Sequence, residues 1–385
     1  MRPSPCVPVL ETLMRCAAVS AGADGALARL AGLETAPEQL FQASLRHEVF
    51  PLVYQNALKK MAPDHPAWKG TFYSNFLRNM RLSKKLVWVM RLLADHGIEM
   101  LALKGPVLAV QAYADLNLRS FTDLDILIHP RDFAAAYAVL GEAGAVPEAP
   151  LTPAQQKWLV ISENHYAFRL QEDILEVHWG VAELGVLHPV MGDRFWQEVT
   201  ETEILEQKVA SLSVENALFL ACLHGAKHGW QKLKYIADLA HLIHAHPGVN
   251  WLRFLRGAKA SGFHRLVCLG LLLAENPGGV RLDSATRSEI QSDPQALALA
   301  GAVRGRLLRD DAPLSATGGI WFYLKARERF RDRAYYVFDQ LFIPKQADWR
   351  VVSLPSARWY PLYALIRPIR LAVKFGLLAV LKGRR

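Results

Sequence analysis

The hydrophobic positions of the chain repeat with helical spacing towards both ends and with strand-like spacing in one central stretch. Residues 1–95 and the residues from about 200 onward carry apolar side chains three and four positions apart, which predicts α-helices. Between them, residues 96–180 hold short apolar runs closed by glycine or proline, which are typical of buried strands. The pattern predicts a mainly helical α+β protein, with a small mixed β-sheet core flanked by N-terminal and C-terminal helical regions.

The central stretch alternates between short strands and helices. A first strand ends at Gly105, a helix that begins with proline follows, and a second strand ends at Pro130. The next helix stops at Gly144, a residue type that commonly ends helices. Two alternating segments, "NHYAFRLQ" and "ILEVHWG", then flank a Glu-Asp pair and predict a β-hairpin.

A longer amphipathic pattern follows the central stretch. It begins at Ser213, which with Asn216 three positions later forms a plausible helix start. Its apolar spacing predicts one long helix that carries both Lys227 and Asp238. We divide the chain into four regions, namely an N-terminal helical region (1–95), an α/β core (96–200), a helical domain (201–310) and a basic C-terminal helical tail (311–385).

The positive charge of the chain is concentrated in that tail. The whole sequence has a net charge of +9, and residues 321–385 alone carry 14 basic and 4 acidic side chains. A near-neutral body argues against a long nucleic acid as partner, because phosphate contacts need clustered Lys and Arg. The sequence of the tail predicts either a helix that packs on the protein's own core and exposes a basic stripe, or a helix that makes a peripheral contact with a membrane or another protein.

Cysteine usage and hydropathy indicate the compartment. The four cysteines are scattered without a Cys-x-x-Cys pair, which fits a reducing environment better than a disulfide framework. The first 22 residues are interrupted by proline and glutamate, and no stretch reaches the roughly 18 apolar residues of a membrane span. We therefore expect a cytoplasmic protein, with the inner face of the membrane as an alternative through the tail.

Two aspartates open the second central strand, in "RSFTDLDILI". Asp123 and Asp125 are two positions apart, so on a strand their side chains share one face. Such a pair repels unless a cation lies between the carboxylates, and Mg²⁺ prefers oxygen ligands. Glu176, an acid between apolar neighbours on another predicted strand, is the best third carboxylate, with Glu172 and Asp173 as rivals. The alternative for the aspartates is a turn that leads into a strand.

The turn ahead of this strand has features of a phosphate site. Gly105 ends a strand and starts a helix, so its backbone can approach a phosphate at the positive end of the helix. Lys104 adds a positive charge next to it.

The order of strand, glycine turn, helix, D-x-D strand and later acidic strand resembles the nucleotidyltransferase superfamily that includes DNA polymerase beta. More closely, the chain is similar to a bacterial family of uncharacterised nucleotidyltransferases, over roughly residues 40–375. The stretches that carry this resemblance are "LALKG", "RSFTDLDILI", "LEVHWG", "HGAKHGWQKLKYIADLAHLI" and "YPLYALIRPIRL".

The resemblance implies transfer of an NMP from an NTP such as ATP to a hydroxyl group of an unidentified small molecule, glycan precursor, peptide or protein. Asp123 and Asp125 would hold two Mg²⁺ ions, with Mn²⁺ as an alternative, in a two-metal mechanism. Glu176 would help to hold the catalytic ion and draw a proton from the acceptor. The residues that would contact the triphosphate are Lys104, Gly105, Arg119 and Ser120.

Three further residues are assigned to the nucleotide with alternatives left open. His178 shares a strand face with Glu176, and is either part of the site or a half-buried hairpin histidine. Lys227 and Asp238 either line the nucleotide cleft, as the resemblance implies, or belong to a solvated stripe. Arg119 could equally form an ordinary salt bridge with Asp123 or Asp125.

One departure from the superfamily pattern supports a second hypothesis. Pro106 follows the turn glycine, where Ser or Gly is common, and a proline has no N–H to offer a phosphate. The alternative to an enzyme is therefore a catalytically weak nucleotide-binding or regulatory module on the same scaffold.

Overall fold

The computed structural model describes residues 6–18, 36–180, 194–310, 312–352, 354 and 356–382. The protein is mainly helical with one mixed seven-stranded sheet, which confirms the predicted fold class. The α-helices of the described residues are α1 (Cys6–Ala17), α2 (Pro37–Arg46), α3 (Phe50–Val53), α4 (Lys59–Met61), α5 (Pro66–Asp95), α6 (Pro106–Tyr113), α7 (Phe133–Glu142), α8 (Pro153–Ser162), α9 (Val214–Lys227), α10 (Leu233–Ala245), α11 (Trp251–Ala260), α12 (His264–Glu275), α13 (Ser284–Gln291), α14 (Pro294–Arg309), α15 (Ala316–Ala326), α16 (Phe330–Phe342), α17 (Gln346–Val351) and α18 (Tyr363–Lys382).

The strands pair in the order β3-β4-β5-β2-β1-β7-β6. Strand β1 runs parallel to β7, with Ala102 opposite Ser211, whereas β3–β4, β4–β5 and β6–β7 are antiparallel. The β4–β5 pair is the hairpin that the sequence predicts. The strands are β1 (Met100–Ala102), β2 (Asp123–Ile128), β3 (Val146–Pro147), β4 (His165–Leu170), β5 (Asp173–His178), β6 (Val199–Ile204) and β7 (Gln207–Leu212).

The described residues group into two compact units, each assembled from separate segments of the chain. The four regions proposed from the sequence stay a prediction. Unit 1 takes its residues from 1–88, 102–124 and 198–328, and unit 2 takes its residues from 89–101, 125–197 and 329–385.

The core of unit 2 explains why the chain from the second aspartate onward forms a buried strand. Ile126, Leu127 and Ile128 of β2 are at most 1% exposed, and Leu175 and Val177 of β5 are fully buried. These β-branched and leucine side chains favour a pleated, buried surface. The apolar run thus fixes β2 in the sheet, and Asp125 at its start goes into the interior with it.

The sequence reading did not predict the hairpin formed by β6 and β7, because residues from about 200 were expected to be helical. Its two turn residues, Leu205 and Glu206, have φ values of 50° and 62°. Positive φ at both positions is typical of tight hairpin turns, and such turns usually contain Asn or Gly at these positions. The usual sequence signal for such a turn is therefore absent at this site.

The prediction of one long helix after Ser213 is wrong, because two separate helices, α9 and α10, cover these residues. The Ser213 side chain does cap the first helix, accepting a hydrogen bond from the Asn216 N–H. The helix ends at Lys227, and the chain then turns through Gly229 and Trp230, whose φ values are 59° and 54°. Lys227 and the later residues on α10 therefore lie on different helices.

Two arginines of the basic tail, Arg367 and Arg370, do not lie in the exposed basic stripe expected from its sequence. On α18, Arg367 Nη1 and Arg370 Nε donate to Asp348 of α17 at 2.9 and 2.5 Å. The apolar residues Leu365 and Ile369, in contrast, are 66% and 67% exposed. The arginines thus bind within unit 2, and a membrane or protein contact through the tail stays a prediction. In the described part of the chain, no helix is sufficiently long and apolar to cross a membrane.

Candidate active site

Three potential metal ligands of unit 2 lie together where β2 and β5 run side by side. Asp125 comes from β2, and Glu176 and His178 come from β5, where their two-residue spacing places both side chains on one face. One ligand atom from each residue lies within 4.8 Å of the others. His178 Nε2 is 3.1 Å from Asp125 Oδ1 and 3.2 Å from Glu176 Oε2. Two residues predicted as metal ligands thus meet, and the histidine joins them.

The three side chains differ in exposure. The Asp125 side chain is 3% exposed, His178 is 12% exposed and Glu176 is 30% exposed. A hydrogen bond with His178 holds the pKa of Glu176 below its ordinary value, although burial and the neighbouring Asp125 charge act in the opposite direction. Glu176 is therefore a carboxylate at neutral pH. The cluster presents a buried acid and a more accessible acid on either side of an imidazole.

The donor set fits a divalent cation. Carboxylate oxygens are preferred by Mg²⁺, Ca²⁺ and Mn²⁺, and an imidazole nitrogen suits first-row transition metals. Two carboxylates as close as Asp125 and Glu176 gain from a positive charge between them, and a buried acid is rare without a partner. In this structure the histidine nitrogen occupies that place between the two acids.

Asp123 opens β2 and is half-buried. It belongs to unit 1, where its charge helps to raise the pKa of Arg119. Strand alternation directs its side chain to the same face as that of Asp125, two positions later. Its role as the partner carboxylate in a metal site stays a prediction.

The glycine turn of unit 1 has a backbone conformation that requires glycine. Gly105 is the N-cap residue of α6, with φ 61° and ψ −124°, and Pro106 takes the first helical position. A proline is well tolerated there, because the N–H it lacks has no partner within the helix anyway. A Cβ on Gly105 would stand 3.5 Å from the carbonyl oxygen of Asp123. The turn therefore lies directly against the start of the D-x-D strand.

Replacing Gly105 by alanine is expected to lower the free energy of unfolding by about 1–3 kcal/mol, the usual cost of a side chain in a sparsely populated region of φ and ψ. The Cβ itself meets only ordinary van der Waals contacts, so the loss comes from the backbone. Urea unfolding measures the change. Gly141 of α7 is the matched control, because its φ is not positive and a Cβ there meets no atom within 4 Å. Gly141→Ala should be neutral or stabilising by up to about 1 kcal/mol, and equal losses at both sites would contradict the assigned strain.

Arg119 and Asp238, both assigned to the nucleotide from the sequence, bind each other inside unit 1. Arg119 Nε donates to the two carboxylate oxygens of Asp238 at 3.0 and 3.1 Å, and both side chains are 7% exposed. The Tyr113 hydroxyl donates to Asp238 Oδ1 at 2.9 Å. Burial alone would lower the pKa of Arg119, but Asp238 outweighs it and raises that pKa. The guanidinium is thus a fixed, buried positive charge four residues before Asp123.

A small pocket of unit 1 contains two of the predicted nucleotide residues. Lys104 and Asp238 line it together with His224 and Tyr235, and the rest of its wall is apolar. The His224 and Tyr235 rings meet edge to face, with centroids 5.2 Å apart. Of the other predicted contacts, Ser120 is half-buried and Lys227 is exposed at the end of α9. The structure thus groups Lys104 with Asp238, and the assignment of Lys227 to the nucleotide stays a prediction.

Three polar residues of α5 hold the loop before the D-x-D strand, and the sequence reading missed them. Asn79 is fully buried, and its Nδ2 donates to the carbonyl oxygens of Leu116 and Arg119 at 2.6 and 2.8 Å. Arg78 Nε donates to the Phe121 carbonyl oxygen at 2.9 Å, and Asn75 Nδ2 donates to the same loop. Their spacing of three and four positions puts them on one face of the helix. The sequence signal for these residues is a group of polar positions on the face of α5 where the helical pattern otherwise places apolar side chains.

Comparison with known proteins gives one family and one structural likeness. The chain matches the family described as "Uncharacterised nucleotidyltransferase" over residues 34–278. No curated protein matches the chain. Among solved structures, an antigenic nucleotidyltransferase-like protein from Paracoccidioides brasiliensis is 16% identical, with a TM-score of 0.33 over 56% of this chain and 93% of that chain. That likeness is too low to carry an argument. Because the family match covers more than half of the chain, the protein belongs to the family of uncharacterised nucleotidyltransferases.

Proposed function

We propose that the protein is a metal-dependent nucleotidyltransferase that moves an NMP from an NTP to a hydroxyl-bearing acceptor. The observation that carries the proposal is the meeting of Asp125, Glu176 and His178 within 4.8 Å, on the strands that bear the D-x-D motif and the later acid. Family membership supports the nucleotidyltransferase class. On the D-x-D motif we further place the chain in the DNA polymerase beta superfamily.

Each residue has a role that its environment supports. Asp125 and Glu176 would hold the cation through their carboxylate oxygens, and we assign Asp123 as the other shared carboxylate by strand alternation. Mg²⁺ or Mn²⁺, when bound, supplies charge stabilisation to the entering and leaving oxygens. Glu176 is ionised, and we assign it to accept the proton of the acceptor hydroxyl. The acceptor oxygen forms a bond to the α-phosphorus of the NTP. The bond between the α-phosphorus and the oxygen that bridges it to the β-phosphorus breaks, and pyrophosphate leaves.

The triphosphate contacts follow from the positive groups and the glycine turn of unit 1. We assign Lys104 as a point charge, and the Gly105 turn as a close backbone approach. Arg119 contributes a guanidinium that Asp238 fixes in place, which costs no reorganisation during the reaction. Ser120 and Lys227 are proposed as further contacts from the family resemblance.

A second candidate function is a nucleotide-binding module without turnover. The observation that favours it is Pro106, which offers no N–H at the first position of α6. The presence of both Asp125 and Glu176 with an ionised Glu176 favours the enzyme instead.

The test is an acceptor screen with each of the four α-³²P-labelled NTPs, Mg²⁺ or Mn²⁺, and a bacterial cell extract. The proposal predicts a new labelled species with the wild-type protein and none with an Asp125→Asn variant. Equal labelling by both proteins would contradict it. NTP binding without any labelled product would support the binding module. An absence of both NTP binding and labelled product would overturn both candidate functions.

A further inference from the structure

We propose that His178 is a direct ligand of the cation, rather than a nucleotide contact, and that its imidazole makes the site select Mn²⁺ over Mg²⁺. The inference rests on the metal site of the proposed function, but it does not depend on nucleotidyl transfer. It concerns residues of unit 2 only.

The position of the His178 nitrogen carries the first step. Nε2 lies 3.1 Å from Asp125 and 3.2 Å from Glu176, so it faces both acids at once. A cation between these carboxylates therefore lies within reach of the same nitrogen. If His178 were not a ligand, it would compete with the cation for both acids. Coordination would resolve that competition, because Nε2 would then donate its lone pair to the cation.

The surroundings of the ring carry the second step, because they hold it in place. His165 lies opposite His178 on the antiparallel strand β4, and the two rings stack with centroids 5.1 Å apart and an interplanar angle of 21°. His165 directs its own Nδ1 to Asn164 Oδ1 at 2.8 Å. His178 is only 12% exposed, so water does not take the place of its partners. A ring that is stacked and mostly buried stays at the cation site.

Ligand chemistry carries the third step, towards the identity of the metal. Mg²⁺ demands oxygen ligands and loses its waters reluctantly, whereas imidazole suits first-row transition metals. Mn²⁺ shares the preference of Mg²⁺ for carboxylate oxygen, but as a first-row transition metal it also binds sites that mix oxygen and nitrogen ligands. An imidazole beside the carboxylates of Asp125 and Glu176 therefore favours Mn²⁺ over Mg²⁺.

The experiment is electron paramagnetic resonance on the full-length protein with Mn²⁺ as the probe. Titration of the free Mn²⁺ signal gives the Kd, and competition gives the Kd for Mg²⁺. Electron spin echo envelope modulation shows whether a nitrogen is bound directly to Mn²⁺. Histidine labelled with ¹⁵N changes that modulation in the wild-type protein, which requires no substitution. The variants are His178→Gln, with His129→Gln as the matched control, because His129 Nε2 lies beside Glu99 and not beside the cluster, and Asp125→Asn to locate the site.

We expect Mn²⁺ to bind at least about tenfold more tightly than Mg²⁺, with a directly coordinated histidine nitrogen in the wild type and in His129→Gln. His178→Gln should remove the nitrogen modulation and weaken Mn²⁺ binding by about 10–100-fold, the range typical of changes around a metal site, with less than about threefold effect on Mg²⁺. Mn²⁺ bound at the Asp125-dependent site without nitrogen coupling would overturn the inference. So would equal losses for both ions.

The outcomes separate this inference from the proposed function. Nitrogen-coupled Mn²⁺ binding without any NTP turnover would leave the inference standing and remove the enzyme. NTP turnover by a protein whose Mn²⁺ shows no nitrogen coupling would support the enzyme and overturn the inference. An absence of any Mn²⁺ binding would overturn the inference together with the metal site of the proposed function.

Discussion

Replacing Asp125 by asparagine is expected to lower metal-dependent NTP turnover by about 10³-fold. Metal-supplied charge stabilisation amounts to several kcal/mol of the barrier, and each 1.36 kcal/mol is a factor of ten in rate. Asp125 is the most buried acid of the cluster, so no water-exposed oxygen replaces it. Asparagine has the same shape and keeps an oxygen towards His178, which preserves the fold. The measurement is kcat/KM for pyrophosphate release at saturating metal.

The matched control for this loss is Glu172→Gln. Glu172 is an exposed acid in the turn between β4 and β5, a few residues before Glu176. Its substitution should leave turnover within about twofold, because a surface change away from the site rarely affects the chemistry. Circular dichroism and thermal unfolding on both variants separate a chemical loss from a folding loss. A folded Asp125→Asn protein with nearly wild-type turnover would remove Asp125 from the catalytic site.

Replacing Asp238 by alanine is expected to lower the free energy of unfolding by about 3–5 kcal/mol, the cost of leaving one partner of a buried ion pair alone. The variant leaves the Arg119 guanidinium without its carboxylate and the Tyr113 hydroxyl without its acceptor. Among the described residues, Arg119 Nη1 already has no hydrogen-bond partner. The guanidinium therefore has few other groups that could replace the lost carboxylate. Denaturant unfolding at neutral pH measures the change in the free energy of unfolding.

Tyr113→Phe is the control for the Asp238 prediction. It removes one hydrogen bond to Asp238 and keeps the ion pair, so a loss of only about 1 kcal/mol is expected. Losses of equal size in the two variants would show that the tyrosine hydroxyl, not the ion pair, stabilises this part of unit 1. A loss below about 1 kcal/mol in Asp238→Ala would contradict the assignment of Asp238 as the partner of Arg119.

The features of the site that depend on neighbouring positions in the chain could be predicted from the sequence. The D-x-D strand, the Gly105 turn and the hairpin that carries Glu176 all follow from local periodicity, and the structure confirms each as an element. Strand alternation also put His178 on the same face as Glu176. Local pattern could not tell whether the histidine meets the acids, because that depends on how β5 lies beside β2.

The features that depend on distant partners could not be predicted. Arg119 and Asp238 are 119 positions apart, and either residue alone reads as a ligand contact or a surface charge. Asn79 reads as an ordinary polar helix residue until its carbonyl partners in the loop are known. The break between α9 and α10 was missed because Trp230, a bulky residue, adopts a positive φ, and propensity gives no warning of that.

The central claim is nucleotidyl transfer, and parallel labelling of the NTP at its α- and γ-phosphates tests it most directly. The wild-type protein would be incubated with each labelled NTP, the divalent cation and the extract, and both the product and the released phosphate would be identified. We predict that the α label enters the acceptor and that the γ label leaves as pyrophosphate. Entry of the γ label into the acceptor, or release of orthophosphate alone, would assign a kinase or a hydrolase and contradict the claim.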